Sequence, residues 1–218
     1  AADQLDDGAL FVVKVLESLD DLEVVFIASR VRVVLRDVGE IALLAVEKVV
    51  ELNTTADGNF AHNPEPLHEN LKDISAVVIR EKADLGFVVD PDVDRLAIVN
   101  DDGSMFGEEY TLVSVADYIL SNTPGNTVSN MSSTRALKDI TERYGHKYFS
   151  SAVGEVNVVE EMKAWNAVIG GEGNGGVIYR ELRYGRDALV GIALFLTHLA
   201  RSGMKCSELR KKYPDYVI

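Results

Sequence analysis

The sequence predicts an α/β protein built as two consecutive three-layer α/β/α units with mixed or largely parallel sheets. Three observations carry that prediction. Residues 85–89, 96–99 and 167–169 are short apolar runs, as strands buried on both faces require. The segments between them repeat apolar residues at helical spacing. The two kinds of segment alternate twice along 218 residues, a length that accommodates two compact units. The turn-forming residues near 102–107 mark the division, giving units 1–103 and 104–218.

The elements follow in order. Residues 32–35 and 48–52 are β-rich, while the rest of 1–48 mixes apolar and charged residues without a clear period. Residues 69–82 read as a helix, with Leu71, Ile74, Val77 and Val78 on one face. Strands follow at 85–89 and 96–99, and Asp101-Asp102-Gly103-Ser104 is a turn. The second half opens with a helix at 108–121, directing Leu112, Val115, Ala116 and Ile119 inward and ended by Thr123-Pro124-Gly125. A strand at 127–130, a helix at 134–144 stopped by Gly145, a strand at 147–151, a helix at 155–165 and a strand at 167–169 come next. The last long helix spans 187–201. Asp187 caps it, Leu189, Ile192, Ala193 and Leu196 form its buried stripe, and Gly203 ends it.

Composition narrows the function. A formal net charge of −13 argues against nucleic-acid binding, which draws on clustered Lys and Arg. No apolar run reaches the roughly 18 residues of a membrane span. Cys206 is the single cysteine, so an intrachain disulfide framework is excluded. The N-terminus lacks both a signal-peptide pattern and a methionine, so the expected setting is the cytoplasm and the expected start lies upstream.

The chemistry concentrates in two loops. In Asp90-Pro91-Asp92-Val93-Asp94-Arg95, three carboxylates alternate directly after a buried strand. Carboxylates so crowded repel one another unless a cation lies among them. Oxygen-only ligands favour a hard ion such as Mg²⁺ or Ca²⁺, and Arg95 adds a fixed fork of donors suited to phosphate. An EF-hand reading fails, because Arg95 and Asp101 stand where that loop needs glycine and glutamate. A phosphatase of the haloacid-dehalogenase type, with Asp90 as nucleophile, is the alternative enzyme. The second loop is Gly171-Glu172-Gly173-Asn174-Gly175-Gly176. It matches G-x-G-x-x-G literally, but Val177-Ile178-Tyr179-Arg180 continues as a strand where a dinucleotide site opens a helix. It reads either as a bare turn or as a polar loop in which the Glu172 carboxylate and the Asn174 amide bind sugar hydroxyls.

Taken in sequence order, further pieces accompany these loops. They are Gly58-Asn59-Phe60-Ala61-His62-Asn63-Pro64-Glu65-Pro66, Ala83-Asp84-Leu85-Gly86, Gly107-Glu108-Glu109-Tyr110 and Tyr184-Gly185-Arg186-Asp187. With the two loops, the set resembles the α-D-phosphohexomutases over about residues 49–203, and specifically their second and third domains. The resemblance implies Mg²⁺ on Asp90, Asp92 and Asp94, with Arg95 assisting the phosphate. It implies Glu172 and Asn174 as readers of sugar hydroxyls, and a phosphoryl transfer between the 1- and 6-positions of a hexose phosphate through a bisphosphate. It also implies partners outside the chain: a first domain with a phosphoserine and a fourth domain with a phosphate-binding loop. His62 lacks the preceding serine of the catalytic motif it resembles and is not assigned to catalysis. Where relatives carry a lysine, a histidine and a histidine, this sequence has Ser132, Glu155 and Gly176. Glu155 is therefore the candidate acid or base, provided burial tunes it. Arg135 and Arg186 are candidate phosphate contacts. A module that binds metal and sugar phosphate without catalysis is the non-enzymatic alternative.

Overall fold

The structure is a computed structural model, and it describes residues 10–15, 46–53, 63 and 65–216. The strand expected at 32–35 and most of the loop at 58–66, including His62, lie outside the described residues.

The α/β class stands, and its two four-stranded sheets differ in kind. The first contains β1 (Leu10–Val15), β2 (Val46–Leu52), β3 (Leu85–Val89) and β4 (Leu96–Asn100), in the order β2-β1-β3-β4. All its pairings are antiparallel. The acidic link 90–95 is the reason for the β3–β4 pairing, since a parallel crossover needs a dozen or more residues. The second sheet contains β5 (Thr127–Asn130), β6 (Tyr148–Ser151), β7 (Ile169–Gly171) and β8 (Val177–Tyr179), in the order β6-β5-β7-β8. Here β5 runs parallel to β6 and β7 across helical connections, and β8 returns antiparallel after the short glycine-rich loop.

Side-chain alternation sets the layers. From β3 and β4, Val88, Ala97 and Val99 point to one face and pack against Ile74, Val77 and Val78 of α1 (Lys72–Glu81). Leu85, Phe87, Val89, Leu96 and Ile98 point the other way. There they meet α2 (Glu108–Asn122) and α5 (Ala188–Ser202) in a continuous core. From the second sheet, Ile169 and Val177 enter that same core, joined by α3 (Ala136–Arg143). Its far face carries Val128 and Ile178 against Val158 and Met162 of α4 (Glu155–Ala164). Helices α2 and α5 are thus a middle layer that both sheets share. Phe195 of α5 makes edge contacts with Phe87 at 6.2 Å and Phe106 at 5.0 Å.

This shared layer changes how the two helices are read. A one-sided apolar stripe was expected on each. Instead every residue from 110 to 120 of α2 is buried. On α5, Leu189 and Ile192 are only half-buried, whereas Val190, Leu194 and Phe195 are fully enclosed. A helix with sheets on two sides needs apolar residues nearly all round. The Asp187 cap is as expected: its carboxylate accepts from the backbone N–H of Leu189 and Val190, and Gly203 ends the helix in the left-handed region. A short α6 (Cys206–Arg210) closes the described chain. Among the described residues, no helix is long and apolar enough to cross a membrane.

Candidate active site

The acidic loop leaves β3 and folds back on itself. Asp90 is fully buried at the strand end. Its Oδ1 accepts the backbone N–H of Asp94 at 3.1 Å and of Arg95 at 2.9 Å, and its Oδ2 accepts Arg95 Nε at 2.6 Å. Burial pushes the Asp90 carboxyl up, but the Arg95 and Asp94 donors together outweigh it and hold the group below its ordinary range. Val93 sits at φ 57°, an uncommon conformation for a β-branched residue. The turn holds it there: Val93 N–H donates to the Asp90 carbonyl at 3.0 Å, and its own carbonyl accepts Ala188 N–H at 3.0 Å. The start of α5 therefore anchors the loop from outside.

Asp90, Asp92 and Asp94 each offer an oxygen, and these lie within 4.8 Å of one another. Among the described residues, Asp94 Oδ1 is buried without a hydrogen-bond partner. Burial raises the Asp94 carboxyl to about 6; Arg186 opposes the rise, and Asp90 and Asp92 add to it. An orphaned buried oxygen amid repelling carboxylates, all hard donors, is what a metal ion would relieve. The cluster fits a divalent cation.

The glycine-rich loop lies against this one. Its Gly175 has φ +89°, and a Cβ added there would stand 2.4 Å from the Leu96 carbonyl oxygen. The two backbones touch: Leu96 N–H donates to the Gly175 carbonyl at 3.2 Å. Only glycine allows both the conformation and the approach. Glu172 is buried, and both its carboxylate oxygens are engaged, Oε1 twice and Oε2 once. Oε1 accepts from Asn130 Nδ2 at 2.7 Å and Gly154 N–H at 3.2 Å, and Oε2 accepts from Arg186 Nη1 at 2.7 Å. Asn174 Oδ1 accepts Gly176 N–H at 3.2 Å within the loop.

Arg186 joins the loops. One guanidinium nitrogen contacts Asp94 Oδ2, and another contacts Glu172. Glu155, the candidate acid or base, is half-exposed at the start of α4. Its Oε1 accepts the Arg186 backbone N–H at 2.8 Å, and its Oε2 lies 3.6 Å from Arg186 Nε. The structure thus gathers Asp90, Asp94, Arg95, Glu155, Glu172 and Arg186 about one junction, with Asp92 beside Asp94 and Asn174 bracing the glycine loop. Arg135 stands apart, exposed and ion-paired with Asp139 on α3 at 3.2 Å.

Residues 107–216 match the family described as phosphoglucomutase/phosphomannomutase, alpha/beta/alpha domain III, and residues 31–103 match domain II of the same family. The chain belongs to the α-D-phosphohexomutase family. A phosphoglucomutase/phosphomannomutase of Thermococcus kodakarensis is 38% identical over 171 residues, which are 78% of this chain and 38% of that protein. A Methanopyrus kandleri protein named "Probable phosphoglucosamine mutase" is 31% identical over 173 residues, with the same shares covered. The crystal structure of a phosphoglucomutase/phosphomannomutase family protein from Burkholderia thailandensis superposes with a TM-score of 0.70 at 33% identity, covering 77% of this chain and 37% of that one. The chain spans well under half the length of these relatives.

Within this phosphohexomutase segment, sequence reasoning passed over three contributors. Glu109, at the start of α2, accepts Thr134 N–H at 2.5 Å on Oε2 and lies beneath Gly173. Burial raises its carboxyl to about 6, with Glu108 adding to the rise and the Thr134 bond opposing it. Asn130, buried at the end of β5, orients Glu172 and accepts from the hydroxyls of Ser132 and Ser133 at 3.1 and 2.6 Å. Glu65 lies 3.6 Å from Arg95 Nη1. The usable signal for Glu109 and Asn130 was position: one opens a helix and the other closes a strand, both at the carboxyl ends of strands where α/β ligands bind.

Proposed function

We infer that this chain supplies the metal loop and the sugar-recognition loop of a Mg²⁺-dependent phosphohexomutase that interconverts hexose 1- and 6-phosphates. One observation carries the reading: Arg186 joins a three-carboxylate loop directly to the buried Glu172 of a glycine-rich loop. On this reading the units are 1–103 and 104–218. The phosphoserine and the clamp for the distal phosphate come from other domains of the same cytoplasmic enzyme, in keeping with the share of the relatives that the chain spans.

The residues act as follows. Asp90, Asp92 and Asp94 would hold Mg²⁺, which when bound neutralises charge on a transferring phosphoryl group. Arg95 has its Nε fixed on Asp90, leaving the outer edge of its guanidinium, only loosely engaged by Glu65, to contact phosphate oxygens. Glu172 accepts a sugar hydroxyl through the remaining lone pair of Oε2, and Asn174 presents its amide N–H₂, since its oxygen is bound to Gly176. Glu155 faces the junction from α4 and serves as proton acceptor or donor.

The phosphatase alternative is disfavoured by the Asp90 geometry, because both carboxylate oxygens are already engaged by three donors, a poor arrangement for a nucleophile. The test is a coupled assay of the complete gene product with glucose and mannose 1-phosphates. Interconversion that Asp92→Asn abolishes is expected. Mutase turnover by the 218-residue chain alone would sink the division of labour, and Mg²⁺-dependent phosphate release without isomerisation would restore the phosphatase.

A further inference from the structure

Arg186 has more contacts than a phosphate ligand needs. Its guanidinium lies among three carboxylates from three segments: Asp94 of the acidic loop, Glu172 of the glycine loop and Glu155 of α4. Its backbone N–H is pinned by Glu155. Among the described residues its Nε is buried without a hydrogen-bond partner, although Glu155 Oε2 lies only 3.6 Å away. The group is therefore placed for charge balance rather than for saturated hydrogen bonding. Among the described residues, Asp90, Asp94, Glu155 and Glu172 are ion-paired only with Arg95 and Arg186; Arg95 Nε lies 2.6 Å from Asp90 Oδ2 and, more distantly, 3.9 Å from Asp94 Oδ1.

We propose that Arg186 is a positioning residue that acts as a built-in counter-cation: it competes with a divalent metal ion for Asp94, and so couples occupancy of the acidic loop to the freedom of Glu172. The inference rests on the metal reading given under the proposed function. The physical argument is Coulombic. Arg186 contacts Asp94 Oδ2, while the orphaned oxygen of the same carboxylate, Oδ1, is the one available to a metal. Two cations on one carboxylate repel strongly in a partly buried site. A metal arriving among Asp90, Asp92 and Asp94 weakens the Arg186–Asp94 contact. Arg186 then shifts toward Glu155 and Glu172, and its hold on Glu172 tightens until an incoming phosphate draws the guanidinium away. In reverse, anything that draws Arg186 away from Asp94 tightens metal binding, as linkage between two sites requires.

The experiment is Mn²⁺ binding to the 218-residue chain, followed by electron paramagnetic resonance, with circular dichroism to confirm that each variant folds. Arg186→Gln is expected to bind Mn²⁺ about tenfold more tightly than the parent chain. Arg186→Lys keeps the charge and is expected to stay within about threefold of the parent, which provides a folded control should the Gln variant fail to fold. Glu172→Gln, which touches Arg186 and none of the three loop aspartates, is expected to weaken Mn²⁺ binding. Its effect should shrink in the Arg186→Gln background, giving a non-additive double-mutant cycle. Arg186→Gln binding as tightly as the parent or more weakly, or strictly additive effects, would overturn the proposal. If the Gln variant does not fold, an Arg186→Lys affinity far from the parent, or Glu172→Gln binding that matches the parent, overturns it instead. A parent chain that binds no Mn²⁺, or binds it no better than Asp92→Asn, would instead remove the metal reading itself.

Discussion

The acidic loop and the glycine-rich loop meet at Arg186, yet they are held by opposite means. The acidic loop carries most of its own scaffold, to which the Ala188 N–H adds an outside bond on the Val93 carbonyl. Asp90 accepts from Asp94 and Arg95, so the residue that opens the turn also closes it. Within the glycine loop, Glu172 N–H donates to the Gly176 carbonyl at 2.9 Å and Gly176 N–H to Asn174 Oδ1 at 3.2 Å, but its side chains and its seat are set from outside. Glu172 is placed by Asn130, Gly154 and Arg186, Gly173 rests over Glu109, and Gly175 lies on the Leu96 carbonyl. A loop held from within depends on its own side chains. A loop held from outside depends on keeping side chains away.

Gly175→Ala is the sharpest way to break that contrast. The new Cβ combines an unfavourable φ of +89° with a backbone oxygen at 2.4 Å, and backbone yields less readily than a side chain. A loss of about 3 kcal/mol is expected, read as a lower urea midpoint with an unchanged slope. Because Leu96 begins β4, the damage should reach the acidic loop and weaken its metal binding as well.

Asp90→Asn tests the other side of the comparison. An amide oxygen can keep the two bonds accepted by Oδ1 but not the ion pair of Oδ2 with Arg95, where an amide nitrogen facing a donor has no partner. Destabilisation of about 2 kcal/mol is expected, with metal binding lost. The sign with pH follows from the folded Asp90 carboxyl lying below its ordinary range. Its stabilisation is present above the unfolded pKa and fades as pH falls through the folded one. The gap in stability between parent and Asp90→Asn should therefore narrow on acidification below about pH 4.

The contrast also explains what could be read from the sequence. The acidic loop was legible because its chemistry is local: three carboxylates and an arginine stand in six consecutive positions. The chain's α/β class was legible because apolar runs alternate with helical periods. The surroundings of α2 and α5 were not, since a stripe such as Leu112, Val115, Ala116 and Ile119 looks the same whether a helix meets one sheet or two. The buried Tyr110, Val113, Tyr118 and Leu120 off that stripe hint at the second sheet. In the sequence Glu155 and Glu172 read as free functional groups, and neither spacing nor composition shows that Arg186 engages both. Glu109 stands in the Gly107-Glu108-Glu109-Tyr110 motif, but its role, like that of Asn130, is not legible because the partners lie 25 and 42 positions away in sequence.

Glu109→Gln sharpens the external support of the glycine loop. The folded Glu109 carboxyl is raised to about 6 from its ordinary 4.5, chiefly by burial. A raised carboxyl favours the folded state while it is protonated, and that advantage disappears as pH rises through 6. A neutral amide retains an oxygen for Thr134 N–H and has no charge to bury. The variant should match the parent near pH 4.5 and exceed it near pH 8 by about 1 kcal/mol after allowance for partial exposure. Thermal unfolding of both proteins across pH 4.5–8 gives the comparison, and parallel curves would contradict the assignment.

Asn174→Ala should have the smallest effect on the fold and is the most informative about function. Among the described residues its one hydrogen bond, accepted from Gly176 N–H, is 3.2 Å long and local to a loop whose position is set by others. Loss of such a bond at a half-buried site costs about 0.5–1 kcal/mol, so unfolding should shift little. If the Asn174 amide reads a sugar hydroxyl, the same change should raise KM for the hexose phosphate in the complete enzyme well beyond what that stability loss suggests, with Mn²⁺ affinity of the acidic loop unchanged. A rise in KM with intact metal binding separates the two loops by function as they are already separated by construction. A shift in both would mean that the glycine loop, although supported from outside, transmits its own order back through Leu96 to the carboxylates.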